Sequence, residues 1–449
     1  MCFKNIKYLF SIGFSFFFFL FLKFDLYSSL GVGIFIFWIV SLVVASNDSF
    51  PIMQLLLSLF SLQYLFGPAL TYNGFDVYTI DSYQMKIENV DYFSFVIPIF
   101  LAFTLGFRVF FTPQKNIIST EGINQWFDKN PKLPYVFILL GIITPFFSSI
   151  VPSSLKFLSY LIESFKFIGL FIIILSNRKS KLIFLIITYV TIFLSAFLGG
   201  MFHDLLIWLI VLGLIISYKY KPSFIYKFIS IILFVIFIIF IQAIKGGLRD
   251  VIWDDGGQLS LELIEDVNKE NLNENAGFFT LQNIGPQINR INQGWILAST
   301  IENVPQNISH TYGSLTVKYL YAALLPRIFD NDKLKAGDQV LFNTYSGHVV
   351  FGSTSMALGL FSDAYIEFGR FWSILYVFFF GFLYGFILNK FLFYSKKIPI
   401  LILFSTLVFV YPMRPDCETP TVLGHLFKSL MLLIAIFHFW RNNFILNMK

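Results

Sequence analysis

The residues most suited to chemistry in this sequence are arginines in a long polar stretch, residues 244–371. They are Arg249, Arg290 and Arg327. A guanidinium group stays charged and presents a planar fork of N–H donors, which suits the oxygens of a phosphate. Arg327 directly follows an apolar segment, residues 314–326, so we expect it at membrane level, where an unpaired charge is costly and usually functional. The alternative for each is an interfacial arginine that extends to lipid headgroups.

Two further groups of charged residues stand out. Residues 411–418 read Tyr-Pro-Met-Arg-Pro-Asp-Cys-Glu and include Arg414. Their position predicts that they face the same side as the long polar stretch, although a plain polar turn is the alternative. Glu163 and Lys166 are one helical turn apart inside an apolar run, where they can neutralise each other. That pair is as compatible with a structural as with a functional role.

The composition requires membrane-spanning helices to position these side chains. The chain has 449 residues, of which 57% are hydrophobic and 13% charged, with a mean hydropathy of +0.73. A soluble domain carries about 25% charged residues. The sequence therefore predicts an all-α integral membrane protein, and it excludes a soluble enzyme, a nucleic-acid binder and a secreted disulfide scaffold.

The apolar runs predict about twelve spans, since a helix needs ~20 residues to cross a bilayer. They are residues 8–22, 29–45, 51–66, 92–111, 134–151, 155–175, 182–198, 203–217, 223–243, 372–394, 398–412 and 421–440. The predicted organisation is nine spans in residues 1–243, a large outer loop in 244–371, and spans ten to twelve in 372–449.

The distribution of lysine and arginine predicts the orientation. With the N-terminus inside, the inner segments collect 17 of these residues and the short outer segments hold 4. The positive-inside rule then places both termini in the cytoplasm and residues 244–371 outside. That loop mixes charges with tryptophan and tyrosine, which favours an ordered segment over a disordered one. Its apolar part, residues 314–326, is too short to cross and predicts an interfacial or re-entrant helix.

No metal or cofactor site is predicted. The five histidines have no i, i+4 pair, and the chain has no glycine-rich phosphate loop. Cys2 and Cys417 fall on opposite predicted faces, so they cannot form a disulfide.

Several short motifs resemble those of the Wzy-type O-antigen polymerases. They are Leu325-Pro326-Arg327 followed by Asp332-Lys333, then Ser353-Thr354-Ser355, then residues 363–369, Asp-Ala-Tyr-Ile-Glu-Phe-Gly. The number of spans, the cytoplasmic termini and the large late loop also fit that family. Two positions depart from its pattern: Glu367 replaces an amide, and His203 lies where an arginine is often found.

The resemblance implies a GT-C-like fold and a glycosyl transfer at the periplasmic face of the bacterial inner membrane. A glycan on undecaprenyl diphosphate would be the donor, and a hydroxyl of the next lipid-linked oligosaccharide would attack its anomeric carbon. The lipid diphosphate that leaves requires cations. Arg290 and Arg327 are the first candidates, followed by Arg249 and Arg414.

The attacking hydroxyl requires a base, and Asp363, His348 and Glu367 are the candidates, with Asp363 slightly favoured. The resemblance implies no metal and no nucleotide sugar. The implied partners are the undecaprenyl-diphosphate-linked oligosaccharide, membrane lipid and a protein that regulates chain length, with no nucleic acid.

Two other functions remain open at this point. A flippase or other transporter of lipid-linked oligosaccharides would also have about twelve spans, but we expect it to have short outer loops and charges along a central cavity. An O-antigen ligase would share the fold and the loop and would use lipid A core as its acceptor. The sequence separates polymerase from ligase poorly.

Overall fold

The computed structural model describes residues 5–75, 83–111, 118–147, 150–152, 155–176, 178, 181–199, 202–249, 288–325, 334, 337, 339–350 and 356–440. Every regular element in these ranges is helical. We number the helices α1 Ile6–Leu20, α2 Leu26–Ala45, α3 Ile52–Tyr72, α4 Asn89–Phe110, α5 Thr120–Lys129, α6 Leu133–Ile143, α7 Lys156–Glu163, α8 Phe165–Leu175, α9 Lys181–Gly199, α10 His203–Tyr220, α11 Phe224–Arg249, α12 Gly294–Asn303, α13 Ser314–Leu324, α14 Gln339–Ser346, α15 Leu360–Ser395, α16 Leu401–Phe409 and α17 Thr419–Phe439.

The chain is a multi-pass membrane protein. Across the described ranges, eight helical segments are long and apolar enough to cross a bilayer. They are α2, α3, α4, α7 with α8, α10, α11, α15 and α17. A ninth span results if α5 and the segment Leu133–Phe147, which meet at an angle of 84°, count as one. The remaining predicted segments, 8–22, 182–198 and 398–412, overlap the shorter helices α1, α9 and α16.

The helices fall into two compact units, of which the first comprises Met1–Ala45, Pro51–Ile118 and Ile288–Lys449. Its closest helix pair is α4 with α15, and glycines line the contact. A Cβ atom on Gly106 would lie 2.1 Å from the Phe378 carbonyl oxygen, and one on Gly381 or Gly385 would lie 2.2 Å from a carbonyl of α4. Small residues spaced four apart allow two membrane helices to approach to backbone contact. These glycines therefore allow close packing of α4 and α15, two helices that are far apart in the sequence.

Helix α15 is too long to be a single straight span. Its 36 residues would extend about 54 Å at 1.5 Å per residue, whereas the hydrocarbon core measures about 30 Å. Gly369 interrupts the helix with φ 64° and ψ −163°, a conformation open almost only to glycine. Residues 360–368 therefore form a separate helical piece before the spanning part. This piece carries Asp363 and Glu367.

The second unit comprises Ser46–Phe50 and Ser119–Gln287. Helices α6 and α8 pack closely in it, since a Cβ atom on Gly169 would lie 2.4 Å from the Pro134 carbonyl oxygen. At the junction of α7 and α8, the Lys166 ammonium lies 2.9 Å from a carboxylate oxygen of Glu163. The lysine side chain is 2% exposed, so the pair neutralises a charge that burial alone would penalise.

Candidate functional site

Asp363 is a buried carboxylate in the first turn of α15. The Tyr319 hydroxyl of α13 donates to its Oδ1 at 2.9 Å. The Thr419 hydroxyl, at the start of α17, donates to its Oδ2 at 2.5 Å. Burial of a carboxylate without hydrogen-bond partners is costly. The two hydroxyls offset this cost for Asp363. An ionised carboxylate offers about four lone-pair sites, so Asp363 retains capacity to accept a further proton donor.

Asp363 lines a narrow pocket, and Glu418 lines the same pocket. Glu418 lies in the turn before α17, where one oxygen accepts from the backbone N–H of Gly337 at 2.7 Å. The other lining residues are Tyr319, Leu334, Leu341, Phe342, Met356, Leu358 and Pro420. A mostly apolar wall with a few converging polar groups is typical of a ligand pocket. The chemistry of this one is that of two carboxylates and a phenol.

Glu367 lies four residues after Asp363 and is also buried, but its surroundings are different. Four hydrogen bonds reach its carboxylate, from the Thr311 hydroxyl, the Gly313 N–H, the Thr316 N–H and the Thr316 hydroxyl. These donors occupy the lone-pair sites of both oxygens. The arrangement favours a structural role for Glu367 over proton transfer, and the candidate base closest to the pocket is Asp363.

His348 lies in the loop after α14 and is half-buried. Its Nε2 is 2.9 Å from the Ser299 hydroxyl, and its ring packs edge-on against Trp295 at 5.3 Å. Burial lowers the pKa of His348 below its usual 6.5, the charge of Lys86 lowers it further, and Glu302 acts in the opposite direction. His348 is not among the described residues that line the pocket of Asp363.

The shifted pKa of His348 gives a prediction for stability. A histidine whose folded-state pKa is lowered binds fewer protons in the folded than in the unfolded protein, so stability falls as the pH drops through 6.5 toward the folded pKa. Between pH 7.5 and pH 5.5, we expect the unfolding temperature of the wild type to fall relative to that of His348→Gln. Thermal unfolding in detergent measures both. An equal pH dependence in the two proteins would contradict the prediction.

The structure describes the side chains of two of the four predicted arginines, Arg414 and Arg290. Arg414 is half-buried, its guanidinium lies 5.1 Å from the Tyr411 ring centre, and its Nε is 4.0 Å from Asp416. It lines a second small pocket together with Thr419, the residue that donates to Asp363. Thr419 thus connects the Arg414 pocket with the Asp363 pocket.

Arg290 is exposed and lies near Tyr83. The side chain of Arg249 and the whole of Arg327 lie outside the described residues.

The sequence alone predicts no role for three residues of the site, Tyr319, Thr419 and Glu418. Tyr319 was one of many aromatic residues in the long polar stretch, and Glu418 was part of a proline-rich turn. Their spacing carries no motif, since the site joins α13, α15 and the start of α17. Only the packing of these helices identifies them.

Tyr64 of α3 also supports the site. It lies in a π-helical turn formed by Leu62–Phe66. The Tyr64 ring of this turn stacks on Phe361 at 4.5 Å, and its hydroxyl donates to the Pro415 carbonyl at 3.3 Å. Such turns are frequent at functional sites. Tyr64 joins the start of α15 to the turn that holds Arg414 and Glu418.

Within the described part of the chain, no three His, Cys, Asp or Glu side chains converge as metal ligands. The sequence family described as Domain of unknown function (DUF8712) matches residues 99–448, a range that contains Tyr319, Asp363, Arg414, Glu418 and Thr419. No curated protein and no solved structure matches the chain.

Proposed function

Because the chain belongs to the DUF8712 family, whose function is unknown, we propose a function from the site itself. The protein polymerises undecaprenyl-diphosphate-linked oligosaccharide repeat units by glycosyl transfer at the periplasmic face of the bacterial inner membrane. It does so as a protein of about twelve spans with both termini in the cytoplasm. The resemblance of residues 363–369 to the polymerase motif supports this proposal, as does the surrounding site.

The observation that carries the proposal is the buried Asp363 carboxylate that faces a pocket beside a second carboxylate. A sugar hydroxyl is a weak nucleophile until a base accepts its proton. Asp363 can do so, because Tyr319 and Thr419 fix its orientation and leave two lone-pair sites unfilled. Glu418 is the second carboxylate on the pocket wall and the next candidate for the same role.

In the proposed step, the hydroxyl of an incoming repeat unit gives its proton to Asp363 as its oxygen bonds to the anomeric carbon of the growing glycan. The bond from that carbon to the diphosphate oxygen breaks, and its electron pair leaves with undecaprenyl diphosphate. A cation that meets the developing negative charge lowers the barrier. Arg414 is the candidate for this cation, because it lines a pocket together with Thr419, and Thr419 donates a hydrogen bond to Asp363.

Purified protein in detergent tests the proposal, because detergent has no sealed compartments and therefore separates reaction from transport. Given lipid-diphosphate-linked repeat units from the bacterium that encodes the chain, we expect a ladder of longer glycans and an equal release of undecaprenyl diphosphate. Folded protein that makes no longer glycan but moves the lipid-linked unit across liposome bilayers would replace the polymerase proposal with a flippase.

The acceptor is tested in the same assay. Lipid A core added in place of the second repeat unit is expected to give no product. Transfer of the glycan to lipid A core, without a ladder, would identify a ligase.

A further inference from the structure

Asp363 and Glu367 are four residues apart on the first helical piece of α15, so they share one face of it. Helix α13 contacts both of them. Its Tyr319 donates to Asp363. At its N-terminus, Gly313, which directly precedes the helix, and Thr316 in the first turn donate to Glu367. One short helix is therefore fixed at two points to the two carboxylates.

The contact with Glu367 caps α13 from another helix. The first backbone N–H groups of a helix have no partner within it, and a negative charge there is favoured by the helix dipole. Glu367 accepts from the N–H groups of Gly313 (2.5 Å) and Thr316 and from the hydroxyls of Thr311 (2.6 Å) and Thr316 (2.5 Å). Its side chain is fully buried, so water does not compete for these bonds.

Backbone hydrogen bonds fix the chain just before α13 to the same part of α15. The Thr311 N–H donates to the Ile366 carbonyl at 3.1 Å, and the Tyr312 N–H donates to the Glu367 carbonyl at 3.0 Å. The Tyr376 hydroxyl lies 3.1 Å from the Thr316 hydroxyl. The N-terminus of α13 is thereby held in one register along α15.

We propose that Glu367 is a positioning residue, which holds α13 so that the Tyr319 hydroxyl reaches the Asp363 carboxylate. This inference rests on the proposed function for its consequence in catalysis. Thr316 and Tyr319 are three residues apart, so the capped turn is next to the turn that carries the phenol. A shift of the helix N-terminus moves Tyr319 relative to Asp363.

Glu367→Gln tests the proposal. An amide has one oxygen, and its NH₂ group would face a backbone N–H donor, so at least one of the backbone contacts is lost. We expect kcat for elongation to fall about tenfold, the loss expected for the Tyr319 hydrogen bond itself, while KM changes by less than about twofold, because Glu367 is fully buried and is not among the described residues that line the pocket. Glu121→Gln is the matched control, since Glu121 is an exposed acid in the first turn of α5. It is expected to leave both constants unchanged.

A double-mutant cycle with Tyr319→Phe distinguishes positioning from general damage. Tyr319→Phe alone should lower kcat about tenfold, as expected for the loss of a hydrogen bond to a charged group. If Glu367 acts through Tyr319, the double variant should lie within about twofold of Glu367→Gln alone. Independent effects would multiply to about 100-fold, and that result would overturn the proposal. If Glu367→Gln does not fold, Thr316→Val removes only one hydroxyl contact and replaces it in the cycle.

The same four proteins are also compared by thermal unfolding, which does not depend on turnover. If the effects of the two substitutions on the unfolding temperature are not additive, and the wild type makes no longer glycan, the link between Glu367 and Tyr319 is supported and the proposed function is rejected. If the wild type elongates the glycan, but the two substitutions have independent effects on kcat and on the unfolding temperature, the role of Glu367 is rejected and the proposed function is supported.

Discussion

Asp363→Asn is expected to lower the rate of glycan elongation by about 10²–10⁴-fold, the usual contribution of a general base. Asparagine has nearly the same shape but cannot take up the proton of the attacking hydroxyl. The variant should fold, because one of the two hydroxyls that contact Asp363, on Tyr319 or Thr419, can rotate to accept from the new amide. The measurement is the initial rate of product ladder formation by purified protein at equal concentration.

Asp91→Asn is the control for this experiment. Asp91 is exposed and lies 3.6 Å from Arg370, and an exposed ion pair contributes little. We expect its rate within about twofold of the wild type. Glu418→Gln completes the set, because Glu418 lines the same pocket. A full rate for Asp363→Asn combined with a large loss for Glu418→Gln would assign the base to Glu418 and contradict the role given to Asp363.

Arg414→Ala is expected to lower kcat by about 10²–10³-fold, as does the removal of one charge-stabilising donor elsewhere. Arg414→Lys should recover little of it, because an ammonium cannot present two parallel N–H donors to a diphosphate. The half-buried position of the side chain supports the size of this effect, since its charge is only partly screened by water. Single-turnover elongation with release of undecaprenyl diphosphate measures it.

Arg178→Ala is the matched control, since Arg178 is exposed and bonds to Asp128. It should retain the wild-type rate. An unchanged kcat for Arg414→Ala would remove Arg414 from the site. The diphosphate role would then pass to Arg290 or Arg327, which the same assay tests as alanine variants.

The helices could be predicted from the sequence because a run of about twenty apolar residues has few alternatives in a bilayer. Each predicted segment overlaps a helix. The start of α15 was predicted less well: the apolar run begins at residue 372, whereas the helix begins at Leu360. Residues 360–371 contain Asp363, Glu367 and Arg370, which a hydropathy profile reads as a loop. The carboxylates of Asp363 and Glu367 are buried and accept hydrogen bonds from residues at α13 and α17. A local sequence pattern does not identify such distant partners.

The same limit applies to the site. The short motif at residues 363–369 indicates Asp363 but carries no information on Tyr319 or Thr419. The same motif indicates Glu367, although the four hydrogen bonds of Glu367 differ from the two of Asp363. Two carboxylates one helical turn apart look equivalent in a sequence. Their hydrogen-bond partners distinguish them: Asp363 keeps unfilled lone-pair sites, whereas Glu367 caps the N-terminus of α13.

The first unit combines early and late parts of the chain, which constrains the order in which its helices can pack during synthesis. Helix α4 is synthesised early, but the surface at Gly106 packs against Phe378 and Phe382 of α15, which is synthesised late. The second unit comes from a nearly continuous stretch between these parts, so its contacts are more local and form sooner. During synthesis, α1 to α4 must therefore wait in the bilayer with an unfilled packing face, the kind of intermediate on which membrane chaperones and quality-control proteases act. The pocket of Asp363 closes only when α17, the last described helix, has been inserted.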